Sequence, residues 1–421
     1  MTSDVSELPG LALDTLSESL RGFYVPQFEI RVEGAGLPDD VMRDVIELTY
    51  EDDLDKMDSF QITVSNWDEV AKKYKYIGSE DTAEAGQSEG GSDETSRHQL
   101  FEPCSKQVKI KMGYLGDLKT MMTGFFTTME PTFSPSAAAT LNVRGINVLQ
   151  RLRTKKYNDF FENRRPSDIA RLIGERRDDD LNALRLPVTI VTDPDALENE
   201  RALRHIAQRN EYSIDFLWKL ARRQGYVITM LEQEDDEADP QIRFGPSERG
   251  QSLNDAVYEL KLRQSLIDFR PRITTANQFK SVTVNGWDRS RQEMISGTAS
   301  FDDEEMQELN ADLRYMMCMC DAREELVVDE PVFDENQAKR RAQALLLDQQ
   351  KQMVTVSGTT LGLPLLKAGG KVRISEVGAR LRGDYFITKT QHIFNDSGYI
   401  TKFEARRETV PERGETSPCR T

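Results

Sequence analysis

The chain has 421 residues, enough for two to four domains, and is 38% hydrophobic and 30% charged. Its net charge of −17 speaks against nucleic acid as a partner, because phosphate contacts need a basic surface. No stretch approaches the ~18 consecutive apolar residues of a membrane-spanning helix, so no membrane contact is expected in the resting state.

The opening MTSDVSELPG carries neither a basic start nor an apolar run, and the expectation is synthesis in the cytoplasm without a signal peptide. Residues 1–22 read as a polar arm. A first β-rich domain is expected over 23–146. Phe28, Ile30 and Val32 alternate with polar residues, and Phe60, Ile62 and Val64 do the same. Val41–Tyr50 reads as a strand with a kink. The acidic, Gly- and Ser-rich segment 78–98 reads as a mobile surface loop. Strands resume at Gln107–Met112, Thr123–Met129 and Ala139–Gly145, with Pro131 and Pro135 breaking the chain between the last two.

A small α/β domain is expected over 147–250. Pro166-Ser167-Asp168 opens a helix carrying Ile169, Leu172 and Ile173. A second helix carries Phe216, Leu217 and Leu220 and is closed by Arg222, Arg223 and Gly225. From 251 to 408 strands return, with a helical insertion expected at 302–352, and 409–421 reads as a disordered tail.

Two stretches look like copies of each other. Phe60–Asp68 resembles Phe279–Asp288, each ending in Trp-Asp. Lys109–Met112, Gly124–Glu130 and Ala139–Arg144 then resemble Lys371–Ile374, Gly383–Lys389 and Tyr399–Arg406 in the same order. The fold class this implies is α+β, mainly β: two related antiparallel β-barrel-like domains with a small α/β domain between them and a helical insertion in the second.

No catalytic, cofactor-binding or metal site is expected. Cys104, Cys318, Cys320 and Cys419 have the spacing of neither a disulfide framework nor a zinc site, and read as reduced thiols. His98, His205 and His392 are far apart in sequence. Trp67 and Trp287 read as packing residues and Asp68 and Asp288 as turn caps. Asp52, Asp53 and Asp55 lack the glycine and distal glutamate of a calcium loop and read as a solvated turn. Met316–Cys320 reads as a core or interface stripe. Gly113–Gly116 and Gly358–Gly362 read as turns. Gly86-Gln-Ser88-Glu-Gly90 lies in the acidic loop without the strand and helix a nucleophile elbow needs.

Taken in order, several segments resemble the phage late control gene D protein family, the hub of contractile tail baseplates and the module at the N-terminus of VgrG-type spikes. They are Pro26–Val32, Asp52–Asp55, Phe60–Asp68, Asn210–Tyr226 and Gly383–Tyr399, spanning roughly 24–408. The resemblance implies a homotrimer that adapts a sixfold tail tube to a threefold spike. Its partners would be itself, a separate spike protein, the inner tube protein and baseplate wedge proteins, within a phage tail or contractile injection particle. The ring lumen would be a candidate place for the excess acid. The chain lacks the fused spike's β-helix repeats, so the spike is expected to be a separate polypeptide. The alternatives are a tail-associated cell-wall hydrolase or other β-rich binding protein, and a hexameric tube-like adaptor. A hexamer of two-copy chains would place twelve units in a ring.

Overall fold

A computed structural model describes residues 25–77, 99–103, 106–134, 137–176, 189–194, 200–234, 238–246, 258–276, 278–288, 291–300, 323–328, 332–378 and 381–407. The expected arm, acidic loop, tail, Met316–Cys320 stripe and Ser88 segment lie outside the described residues. So do Cys104 and most of the 302–334 part of the helical insertion.

The first part holds β1 (Pro26–Val32), β2 (Ala35–Gly36), helix α1 (Asp39–Asp44), β3 (Val45–Asp53), β4 (Ser59–Ser65), β5 (Trp67–Asp68), β6 (Lys73–Tyr74), β7 (Gln107–Tyr114), β8 (Asp117–Ser134) and β9 (Ala137–Asn147). Alternation makes the strands: Phe60, Ile62 and Val64 of β4 are buried while Ser59, Gln61 and Thr63 between them are not. The expected kinked strand at Val41–Tyr50 is instead α1 followed by β3. Asp39 and Asp40 at the helix N-terminus favour the first turn. Nor does Pro131 break the chain, since β8 runs through it to Ser134.

Next come β10 (Lys156–Arg164), α2 (Pro166–Gly174), β11 (Ile190–Thr192), β12 (Leu203–Tyr212), α3 (Ser213–Gln224), β13 (Tyr226–Leu231) and β14 (Gln241–Pro246). Both helices turn apolar faces onto one core of Ile169, Ile173, Phe216, Leu217 and Leu220 against Ile228, Ile242 and Phe244. Gly225 ends α3 with φ +71°, a left-handed C-cap that glycine adopts without strain.

The last part holds β15 (Tyr258–Lys261), β16 (Leu266–Ile273), β17 (Ser281–Asp288), β18 (Glu293–Ser300), β19 (Glu324–Val327), α4 (Glu335–Lys351), β20 (Val354–Leu361), β21 (Lys371–Ser375), β22 (Gly383–Asn395) and β23 (Gly398–Arg407). Asp334 caps α4, its carboxylate accepting from Gln337 N at 2.7 Å.

The architecture is mainly β and organised by one open 13-stranded sheet. Its first half runs β1-β7-β8-β9-β4-β3 and its second half β15-β21-β22-β23-β20-β16. Each strand of one half thus has a counterpart of the same rank in the other. The irregularities coincide as well. The β3–β4 register shifts between Val45 and Glu47, and the β16–β20 register between Leu266 and Asp268. The β8–β9 register shifts between Phe126 and Thr128, and the β22–β23 register between Ile387 and Lys389. One difference is direction at the rim: β1 pairs β7 antiparallel, whereas β15 pairs β21 parallel.

One expectation gains a detail and another needs correcting. The two related β halves, each with its own core, share one sheet, because β3 pairs antiparallel with β22 from Lys389–Asp53 to Asn395–Glu47. And the counterpart of β4 is β20, not the Trp-Asp segment at Phe279–Asp288. That segment is β17, which pairs with β18 and β19 in a separate three-stranded sheet covered by α4. Hydrogen-bond partners define equivalence, and the shared Trp-Asp ending did not track them.

Candidate assembly interface

The long sheet has one apolar and one polar face. On the apolar side lie two cores, one around Leu48, Ile62, Ile110 and Val143, the other around Val356, Val372, Ile387 and Phe403. The alternate residues carry charge of both signs. Glu47, Glu51, Asp53, Glu130, Asp268 and Glu404 are matched on the same face by Arg144, Arg270, Arg272, Lys389, Lys402 and Arg406. Several are paired: Arg144 with Glu130 at 3.2 Å, Arg270 with Asp268 at 3.0 Å, and Lys389 with Glu51. An open depression of about 410 Å³ on this face holds three of the acids and three of the bases. Its lining is unlike the mostly apolar pockets that enclose small molecules.

Two of the long sheet's edges without a described strand partner stand out. One is the outer edge of β16, which pairs only with β20 apart from an isolated bridge at Leu266. The other is the distal half of β8, beyond the reach of β7, where only β9 pairs with it. Large apolar side chains sit exposed on both, with Ile267 60% and Phe133 57% exposed. Each open edge also carries a proline, Pro271 in β16 and Pro131 in β8. Asn147 N donates to Asp58 O, which fixes the odd residues of β9 as the ones bonded to β4. The even residues therefore bond β8, and Pro131, opposite Leu141, points its nitrogen at the open edge. Gly362 N donating to Tyr399 O fixes the same for Pro271, opposite Val356. Proline is tolerated where its missing N–H faces an edge.

Where β3 meets β22, the β20–β21 connection straps the pieces together. Ala368 N donates to Asp52 Oδ2 at 2.9 Å and Lys367 Nζ to Thr120 O at 2.7 Å. Tyr114 Oη donates to Gly362 O at 2.9 Å, and from the α/β core Glu232 accepts from Thr123 N and Oγ1. Buried His392 lies within 3.1 Å of Leu366 O through Nε2 and 2.8 Å of Tyr399 Oη through Nδ1. The carbonyl can only accept, so Nε2 carries a proton. Burial, reinforced by Lys367, pushes its pKa down to about 3.

Acids gather at this strap. Asp52 is half-buried and its pKa is pushed up to about 6, chiefly by burial and partly offset by Lys367. Asp58, 5% exposed, is raised by burial and then by Asp52, and Glu232 is raised by burial. The expected solvated turn at Asp52, Asp53 and Asp55 is therefore solvated only at Asp55, which is exposed. Sequence offered one overlooked signal: Asp52 shares the core-facing parity of Leu48 and Tyr50.

The other singled-out residues divide. Asp68 caps its turn, accepting from Val70 N and Ala71 N at 2.8 and 2.9 Å, and Asp288 accepts from Arg291 N at 3.2 Å. Trp67 packs edge-on against Tyr74. Trp287 does not pack into a core; it is 60% exposed, beside Met294 across the strand pair. Leu115 and Gly116 make the two-residue turn between β7 and β8 expected of Gly113–Gly116, whereas Gly358–Leu361 lies in β20 and is strand rather than turn. Among the described residues no cluster of three or more His, Cys, Asp or Glu is placed to hold a metal ion.

A family model described as the Alg8 N-terminal domain matches residues 24–396. The chain belongs to the Alg8 N-terminal domain family. None of the curated proteins matches its sequence. Among solved structures, this Alg8 N-terminal domain chain is similar to the 43 kDa tail protein of prophage MuSo2 from Shewanella oneidensis. The identity is 14% and the TM-score 0.62, over 91% of this chain and 98% of that one. A tail protein from Neisseria meningitidis MC58 matches at 14% identity and TM-score 0.61, over 91% and 97%. An E. coli component of the type VI secretion system matches at 13% identity and TM-score 0.52, over 93% and 79%. The Alg8 N-terminal domain chain therefore shares its fold with tail proteins along nearly its whole length.

Proposed function

We propose that the chain is a structural hub at the base of a contractile tail or injection particle, of the late control gene D kind, and acts mechanically rather than as an enzyme. The observation that carries this reading is the repetition of one six-strand order twice within a single chain. Three chains supply six like units around an axis, which can meet a sixfold tube on one side and a threefold spike on the other. The α/β part at 147–250 and the α4-covered sheet break that sixfold likeness, each occurring once per chain, and suit contacts with wedge proteins or the spike. The polar face, which carries charges of both signs, suits a lumen through which cargo passes without sticking.

The test is the native mass of the purified full chain, alone and with a spike-like neighbour. A mass near three times the 48.0 kDa chain is expected in at least one sample. A monomer in both overturns the hub reading, and a hexamer favours the tube-like adaptor.

A further inference from the structure

We propose that the outward face of the β10–β12 ribbon docks an acidic segment of a partner protein, with Phe160 as the apolar anchor among the ribbon's bases. The inference deepens the partner contact assigned above to the 147–250 part and rests on reading that part as a partner-binding element.

Charge is segregated along this chain. Residues 153–165 and 201–212, which hold the ribbon, carry eight Lys and Arg against three Asp and Glu, in a chain of net charge −17. Lys156, Arg164, Arg165, Arg204 and Arg209 are exposed, and none of them is in an ion pair among the described residues. Two of the ribbon's acids are taken up by bases off its face, Asp159 by Arg176 at 2.7 Å and Glu211 by Lys219 at 3.6 Å. The third, Glu162, lies 3.9 Å from His205 Nδ1. At physiological ionic strength exposed charges are largely screened beyond about 8 Å, so an approaching partner meets this local excess of base rather than the net charge.

Strand alternation makes the face. Phe161 and its partner Ile206 turn inward, Phe161 stacking on Phe216 of α3 with ring centroids 5.9 Å apart. Lys156, Phe160 and Glu162 therefore turn outward, with Arg209 and His205 on the same face across the ladder. Ala207 stands directly opposite Phe160 and is too small to cover it, so the ring is 72% exposed, beside that of His205 at 6.1 Å between centroids. At the end of the ribbon next to α3, Arg153 and Lys156 lie over the Tyr212 ring at 5.7 and 5.3 Å, which holds their charges in one place. An aromatic side chain ringed by such bases is the composition that anchors protein partners. Nucleic acid is the rival occupant, since phosphates also seek bases and an exposed ring can stack on a base. A phosphate backbone repeats its charge at every step and would set one against Glu162; a polypeptide can place an uncharged residue there.

The experiment is fluorescence anisotropy of the full-length chain with a labelled peptide of Asp and Glu carrying two leucines. Lys156→Glu together with Arg209→Glu is expected to weaken binding about tenfold or more. Phe160→Ser is expected to weaken the leucine peptide about threefold or more, while leaving a version with serine in place of leucine unchanged. All three side chains are exposed, and circular dichroism and native mass matching the parent's separate lost binding from lost folding. A peptide that does not bind, or whose binding these substitutions leave unchanged, overturns the inference, while a trimeric native mass keeps the hub reading. Single-stranded DNA of equal charge that binds more tightly than the peptide, and is lost with the same substitutions, overturns it in favour of nucleic acid. A monomeric parent that still binds the peptide through the ribbon supports the inference and removes the hub.

Discussion

Replacing Asp52 with asparagine should stabilise the protein at pH 8 and leave it nearly unchanged near pH 4. Asp52 is a carboxyl whose pKa in the folded chain, about 6, lies above its ordinary value of 3.8. The folded state therefore holds a proton that the unfolded state has released between those values. Stability from such a group is full below the ordinary value and lost as pH rises through the folded one. An amide cannot ionise; its oxygen can still accept from Ala368 N, and its N–H can donate to Asp58 in place of the proton that Asp58 donates to Asp52. The two-unit difference corresponds to at most about 3 kcal/mol, and the partial exposure of Asp52 makes about 1–2 kcal/mol the expected gain. Urea melts of both chains at pH 4, 6 and 8 check it. An asparagine variant no more stable than the parent at pH 8 would mean that the strap depends on the charge of Asp52 toward Lys367.

Gly145→Val should cost about 3 kcal/mol. A Cβ at Gly145 would sit 2.2 Å from Phe60 Cε1 and 2.3 Å from Phe125 O. Phe60 is 2% exposed and packs edge-on against Phe126, so its ring cannot swing into water without opening the first core. Overpacked cores lose about 1–3 kcal/mol, and here backbone on one side leaves no direction for relief. The structural counterpart on the second half is Ala405, which carries the missing methyl between Val356 and Ile387. Ala405→Gly should cost only about 1 kcal/mol, through strand entropy and lost packing. Denaturant midpoints of the two variants test the asymmetry. A valine variant within 1 kcal/mol of the parent would show that Phe60 has a second rotamer available.

Much of the fold was legible because alternation and end signals are local. The strands Phe60–Val64, Gln107–Met112 and Gly383 onward could be read from period two. The end of α3 could be read from Arg222, Arg223 and Gly225. The repeat was legible in its last three strands and misread in its third, because Phe279–Asp288 copies the residues of Phe60–Asp68 without copying their partners. Val354–Leu361, the true counterpart, shares the buried alternation but little of the wording. The open edges of the long sheet were least legible. Whether a strand is central or marginal depends on neighbours hundreds of residues away, and the one local trace was proline in strand-like context at 131 and 271. Asp52 was misjudged for the same reason: the loop that encloses it arrives more than 300 residues later.

The joint between β3 and β22 has a kinetic corollary. Because both strands belong to one polypeptide, their encounter is intramolecular, at an effective concentration of the order of millimolar, whatever the dilution of the protein. In the trimer we propose, alternate seams of the six-unit ring would be closed before any two chains meet, and dilution could reopen only the other three.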